Sequence, residues 1–319
     1  MLIFGIKLPN LIIMERRSFL RNAATTVAAV GLAGSAKAFA SESKVSNDGQ
    51  FKLKYAPGFD TFQEHAGKDL FDNIKFISDQ GFRAIFDNGL MGKEPAIQEK
   101  IASELARRNM DLGPFVLYAD FEVKSMVTQD AGMKDMLKKK MQEGVDCAKR
   151  TGVKWALVVP GHFDERLEWD YQTANVIDNM KMCCEVVEKS GLILVMEPLN
   201  AWTDHPGLFL TKIPQTHMIC KSVNHPSCKL VDDLYHQQIS EGNLIPNIDM
   251  AWESIAAFHI GDNPGRKEPT TGEINYKNVF KHIHSKGYQG VLCCEHGRSI
   301  QGKEGELAFI KAYREVDSF

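Results

Sequence analysis

Beyond its first forty residues the chain has no apolar run of membrane length, no linker, no internal repeat and no low-complexity insert. The missing span leaves no transmembrane helix in the mature part, and the missing linker favours one folded unit. There is no basic cluster, and the formal charge is −3, so a small molecule is a better expected partner than nucleic acid. Seven cysteines, an odd number in 319 residues, do not make the disulfide framework of a small scaffold. Cys183 and Cys184 sit in a helical stretch. Cys293 and Cys294 adjoin on an apolar strand, where neighbours face opposite ways and do not pair easily. Most of the cysteines therefore read as small core residues.

The N-terminal stretch reads as separate from the fold. Glu15-Arg16-Arg17-Ser18-Phe19-Leu20-Arg21 precedes the alanine-rich run Ala23 to Ala36, and Ala38-Phe39-Ala40 has the small residues of a cleavage site. Paired arginines before Ser-Phe-Leu resemble a twin-arginine export signal, which implies a periplasmic or otherwise exported protein. A Sec signal or a lipid-free anchor is the alternative, and Met14 is an alternative start to Met1. Losing residues 1–40 removes five bases (Lys7, Arg16, Arg17, Arg21, Lys37) and one acid (Glu15), which moves the formal charge from −3 to −7.

What the chain does have is a repeated construction. Ile193 to Met196 is a short apolar run that ends in Glu197 and is stopped by Pro198, which reads as a buried parallel strand carrying one charge to a rim. Cys228 to Val231 ends in Asp232 and Asp233, Ala256 to Ile260 carries His259, and Val291 to Cys294 ends in Glu295. The four polar residues are 36, 26 and 36 apart, each about one strand, one crossover helix and their loops.

Upstream the same alternation predicts strands at 51–57, 82–86, 110–117 and 153–159. Helices are expected at 70–80, 95–109, 133–151 and 173–190, the last two closed by Gly152 and Gly191. Short helices near 214–222 and 242–253, then helices over 275–286 and 304–315, complete eight strand–helix pairs. The expected fold class is α/β, a single (β/α)8 TIM barrel over 51–319, preceded by a cleavable export signal over 1–40. Chemistry in such a barrel sits at the C-terminal ends of the strands. The Lys138-Lys139-Lys140 run is most simply a solvated helix face.

Met196-Glu197-Pro198-Leu199-Asn200 with Pro206-Gly207, Asp233-Leu234-Tyr235-His236, and the run His259 to Arg266 continuing through Thr271 to Tyr276 together resemble the hydroxypyruvate isomerase branch of the xylose-isomerase-like barrels. The resemblance is densest from Glu197 onward; residues 51–160 match in architecture more than in motif. It implies one divalent ion, Mn²⁺, Mg²⁺ or Co²⁺, held by Glu197, Asp233, His259 and Glu295, a donor set unlike that of a thiolate-held structural zinc. It makes Glu197 and Glu295 the acid/base pair as well, moving a proton through an enediolate of a hydroxy-carbonyl compound or sugar. His236 resembles a histidine that contacts a substrate oxygen. Arg266 resembles the family's substrate-orienting arginine, whose planar fork suits a carboxylate or paired hydroxyls. The isomerase branch often has glutamine at the place of His259, where the ketose 3-epimerase branch has histidine. Relatives with this barrel often pair, which implies a homodimer.

Plainer roles stand beside these. Glu197 or Glu295 taken alone also reads, less favourably, as part of a rim salt bridge. Asp232 competes with Asp233, and alternation lets only one face the barrel axis; the Asp-x-x-His spacing favours Asp233. His162 is a loop histidine, Glu273 an N-terminal helix acid, and His282 and His284 lie two apart on a helix and face different sides. His296 should point away from Glu295. Three functions follow: an isomerase or epimerase, a lyase acting on oxidised (3-keto) glycosides with the same metal site, or a non-catalytic carbohydrate-binding barrel. Hydroxypyruvate is a cytoplasmic metabolite, so export favours sugars or glycosides met outside the cell.

Overall fold

The computed structural model describes residues 49–319; the residues read as a leader lie outside them. Nine short strands are β1 (Lys54–Ala56), β2 (Ala84–Ile85), β3 (Asp111–Leu112), β4 (Phe115–Tyr118), β5 (Trp155–Val158), β6 (Ile193–Met196), β7 (Cys228–Asp233), β8 (Ile255–Ile260) and β9 (Val291–Cys294). Seven form one parallel sheet in the order β1-β9-β8-β7-β6-β5-β4, and β2 pairs with β3. Single hydrogen bonds join the two pieces. Phe86 N donates to Pro57 O at 3.2 Å beyond β1, and Val116 N of β4 donates to Asn88 O at 3.2 Å. The curled sheet is TIM-barrel-like.

The strand expected over 110–117 is two strands, because Pro114 has no N–H to offer a ladder and Gly113 bends the chain there. Helices fill the crossovers largely where periodicity places them, at Leu70–Asp79, Pro95–Arg108, Ala131–Thr151, Trp169–Val187, Ile213–Val223, Leu244–Ala251, Tyr276–Ser285 and Gly302–Val316. The fourth starts at Trp169 rather than at Thr173. Asp69 and Asp130 cap two of them, each carboxylate accepting N–H groups of the first turn. Gly152, at φ 71°, takes the left-handed turn that ends Ala131–Thr151. Leu234–Ser240 is a further helix, begun by Asp233, whose Oδ1 accepts Tyr235 N at 2.8 Å and His236 N at 3.0 Å.

Two apolar layers follow from strand alternation. Ala56, Ala84, Leu157, Val195, Val231, Ala257, Val291 and Cys293 pack inside the barrel. Residues of opposite parity, among them Met196, Phe258 and Cys294, join the larger layer beneath the helices. Cys293 and Cys294 thus bury on opposite faces, and all seven cysteines are buried free thiols. No helix among the described residues is long and apolar enough to cross a membrane.

Candidate metal centre

Counting two residues along from four inward-facing positions gives the site. Val195 leads to Glu197, Val231 to Asp233, Ala257 to His259 and Cys293 to Glu295, so all four polar side chains share the parity of the barrel interior. They stand on the adjacent strands β6, β7, β8 and β9, at or just past the C-terminal ends, with Asp233 in register with His259. Their ligand atoms lie within 4.8 Å of one another. Three of these residues are buried and Glu295 is partly buried. Asp232 has the other parity: it is fully buried away from the cluster, and burial raises its carboxyl well above the usual range.

His259 Nδ1 lies 2.8 Å from Glu197 Oε1 and 3.1 Å from Glu295 Oε2. Arg266 Nη2 donates to Glu295 Oε2 at 2.8 Å and stands 3.6 Å from Asp233 Oδ2. Burial pushes the Glu197 carboxyl up to about 7, against the attraction of His259. Glu295 is also desolvated, yet His259 and Arg266 hold it well below the carboxylate range. Against its own burial, His259 is held protonated well above the usual imidazole range by Glu295 and Glu197.

This charge set fits a divalent cation. Three carboxylates face Arg266 as the one permanent cation of the cluster, and in the metal-free site the protons on His259 and Glu197 offset the rest; with both protons displaced, two negative charges remain. A +2 ion with a neutral imidazole balances them. The donors are hard oxygens and one nitrogen, with no thiolate, as Mn²⁺, Mg²⁺, Co²⁺ or Zn²⁺ accept.

The surrounding groups hold the donors by their second atoms. Asp233 gives Oδ1 to the helix it caps, which leaves Oδ2 toward the cluster. Asn88 Nδ2 donates to Glu295 Oε1 at 2.6 Å. Arg266 has a left-handed φ of 51° and donates through Nε to Glu295 O at 3.1 Å, so its fork is fixed at both ends. Its loop is tied by Asp262, whose carboxylate accepts from Asn263 N, Gly272 N and Ile274 N at 2.8–3.1 Å.

His236 stands beside the cluster, with Nε2 3.7 Å from Asp233 Oδ2 and no hydrogen-bond partner on that nitrogen. Its Nδ1 is 2.6 Å from Asn200 Nδ2. Asn200 Oδ1 accepts from Thr203 N and Asp204 N, so its NH₂ must be the group facing the imidazole. His236 is therefore neutral, accepts at Nδ1 and carries its proton on Nε2. Burial lowers its basicity, against the attraction of Asp233.

The cluster opens into a cavity of about 160 Å³. Glu197, Glu295, His236 and Arg266 line one side, and Val116, Leu157, Val159 and Leu199 form an apolar wall. Phe121 and His205, their rings 4.6 Å apart, also line it. Asn88, Phe121 and His205 are site residues that sequence reasoning missed. The only signal was position, since Asn88 follows the second strand as Glu197 follows the sixth. The remaining residues singled out from sequence lie elsewhere. His162 bonds the carbonyl of Phe163, Glu273 pairs with Asn263 and Gln238, His282 pairs with Asp249, and His284 packs on Phe319. His296 turns away from the cluster to Tyr313 Oη at 2.8 Å.

A family model described as xylose isomerase-like TIM barrel matches residues 74–313. The hydroxypyruvate isomerase of Escherichia coli is 33% identical over 141 residues, 44% of this chain and 54% of that protein. The 2-oxo-tetronate isomerase of Cupriavidus necator is 31% identical over 140 residues, 44% of this chain and 53% of that protein. The chain thus spans about half the length of these curated relatives. Among solved structures, the IOLI protein with a bound zinc atom superposes with a TM-score of 0.64 at 18% identity, covering 83% of this chain and 98% of that one.

Proposed function

The chain belongs to the xylose isomerase-like TIM-barrel family, and from that premise we propose that it is a metal-dependent isomerase or epimerase of a small hydroxy-carbonyl compound or sugar. The observation that carries this reading is the pair Glu197 and Glu295, two carboxylates 2.8 and 3.1 Å from the same His259 nitrogen on one cluster of metal-type donors. Two similar proteins are named as isomerases of hydroxy-carbonyl acids, which supports the reaction class.

Glu197, Asp233, His259 and Glu295 would hold the ion. When bound, it supplies positive charge beside the substrate's carbonyl and hydroxyl oxygens, where an enediolate develops negative charge. The chain's own groups account for the rest. Glu197, buried at the end of β6 and facing the cavity, is one carboxylate placed to take and return a proton. Glu295, held anionic by its neighbours, is the partner carboxylate for the second transfer. His236 presents a neutral Nε2–H donor for the oxygen on which charge builds. Arg266 orients a carboxylate or paired hydroxyls beside Glu295. The apolar wall excludes water from the carbanionic carbon. Return of the proton to the neighbouring carbon is isomerisation; return to the opposite face of the same carbon is epimerisation.

We read the leader over 1–40 as exporting the protein, which favours sugars or glycosides over hydroxypyruvate as substrate. The test is NMR in D₂O with metal-loaded protein, begun at Ser41, and a panel of ketoses, aldoses, hydroxypyruvate and 3-keto-glycosides. Metal-dependent deuterium uptake at one carbon, lost in Glu197→Gln and Glu295→Gln, supports the proposal. Release of an aglycone would mark the lyase instead. No exchange on any compound, with metal bound, would leave a carbohydrate-binding barrel.

A further inference from the structure

A second cavity opens on the same rim, at the C-terminal ends of β1 and β2, and the reaction proposed above makes no use of it. It encloses about 410 Å³, more than twice the roughly 160 Å³ over the metal-type cluster. Asn88 lines both cavities, and its two amide atoms face different tasks. Nδ2 donates to Glu295 Oε1, whereas Oδ1 is buried with no hydrogen-bond partner. Asn88 thus ties the wall of the larger cavity to a member of the cluster. Phe86 joins the two spaces from below, lining the larger cavity while its ring lies 6.1 Å from that of His259.

The lining of the larger cavity indicates what fills it. Lys93 pairs with Asp87 at 3.1 Å and its Nζ lies 5.8 Å from the Phe59 ring centre. Lys68, Asp60 and Gln63 complete the polar wall. Two lysines against two aspartates give that wall no net charge, so it selects neither an anion nor a cation. It offers instead donors and acceptors in alternation beside the aromatic residues Phe59 and Phe86, the mixture that suits a neutral ring carrying many hydroxyls.

We infer that the substrate has two parts: a hydroxy-carbonyl end over Glu197 and Glu295, and a neutral glycosyl group in the cavity between Phe59, Gln63, Lys93 and Asn88. The inference rests on the isomerase or epimerase reading for the first part and deepens it, making the substrate class a glycosylated ketose rather than a free three- or four-carbon acid.

The test is calorimetric titration of the Mn²⁺-loaded protein with D-fructose and with three glucosyl or galactosyl fructoses that keep a free hydroxy-carbonyl end: turanose, lactulose and isomaltulose. At least one disaccharide is expected to bind about tenfold or more tightly than fructose, the gain of one or two well-made hydrogen bonds. Gln63→Leu and Gln63→Ala, at an exposed position of the lining, should bring that disaccharide to within about threefold of fructose, with fructose affinity and melting temperature held. Equal affinity for fructose and all three disaccharides would overturn the inference, as would variants that weaken fructose and disaccharide by the same factor. Deuterium exchange, followed separately, distinguishes the two readings. Disaccharide preference without exchange keeps the glycosyl cavity and removes the isomerase; exchange on fructose without preference does the reverse.

Discussion

The side-chain amide nitrogen of Asn200 lies 2.6 Å from Nδ1 of His236 and its backbone N–H donates to the same atom at 3.3 Å, and together they fix the tautomer and the charge of the imidazole. Because Asn200 Oδ1 is already taken by Thr203 N and Asp204 N, the donor cannot be turned away. Asn200→Asp replaces the donor by a carboxylate, which favours imidazolium at His236. The expected result is a fall of about 10- to 100-fold in kcat. The acid limb of the pH–rate profile should move to higher pH, because the neutral form is then lost at a higher pH. A profile that drops in height without moving would show that Asn200 only holds the loop.

Metal affinity should rise with pH. His259 is held protonated above its ordinary range by Glu295 and Glu197, and Glu197 itself reaches about 7. An ion must displace these protons, so lowering pH favours the protonated, weakly binding site. Below about pH 7 the apparent affinity is expected to fall about tenfold per pH unit for each proton released. Calorimetry in buffers of different ionisation enthalpy counts those protons; affinity flat between pH 5.5 and 8 would contradict the assignment.

Glu197→Gln and Glu295→Gln each remove one of the three cluster carboxylates and one proton-transfer group. Turnover should fall by about 100- to 10,000-fold for either change. Loss of the proton-transfer group and loss of the metal ligand have different signatures. Metal titration followed by turnover at saturating ion reads that difference: a variant that regains full turnover once enough metal is supplied would show that its carboxylate only holds the ion.

Gly144→Ala tests the seat of the longest helix on the barrel. In an exposed helix this change stabilises by about 1 kcal/mol. Here a Cβ would stand 2.9 Å from Cγ of the buried Leu117 on β4. Overpacking of that kind costs about 1–3 kcal/mol, so a lower melting temperature is expected. A rise would mean that Leu117 has room to turn aside.

The barrel's later half was legible in the sequence because each strand there is a compact apolar run with a metal-type donor at or near its end. Asp233 could be preferred to Asp232 from spacing and parity, and the structure places Asp233 with the cluster and Asp232 away from it. The break at Gly113-Pro114 was visible in the letters but was outweighed by the surrounding apolar run. Helix Leu234–Ser240 is too short for a period to show, and its start depends on a side chain already given a site role. Asn88 carried no signal beyond following a strand, since its bond to Glu295 spans 207 residues.

The sequence by itself determined the order of strands and helices, the parity of inward residues and the kinds of donor at four strand ends, because these depend on local periodicity and on which residues tolerate burial. Only the tertiary structure decided that those donors meet within 4.8 Å, that Arg266 faces them, and that Asn88 lines two cavities. Those are distances between segments far apart in the chain. They are set by the curl of the sheet and the packing of its interior, which no window of residues contains.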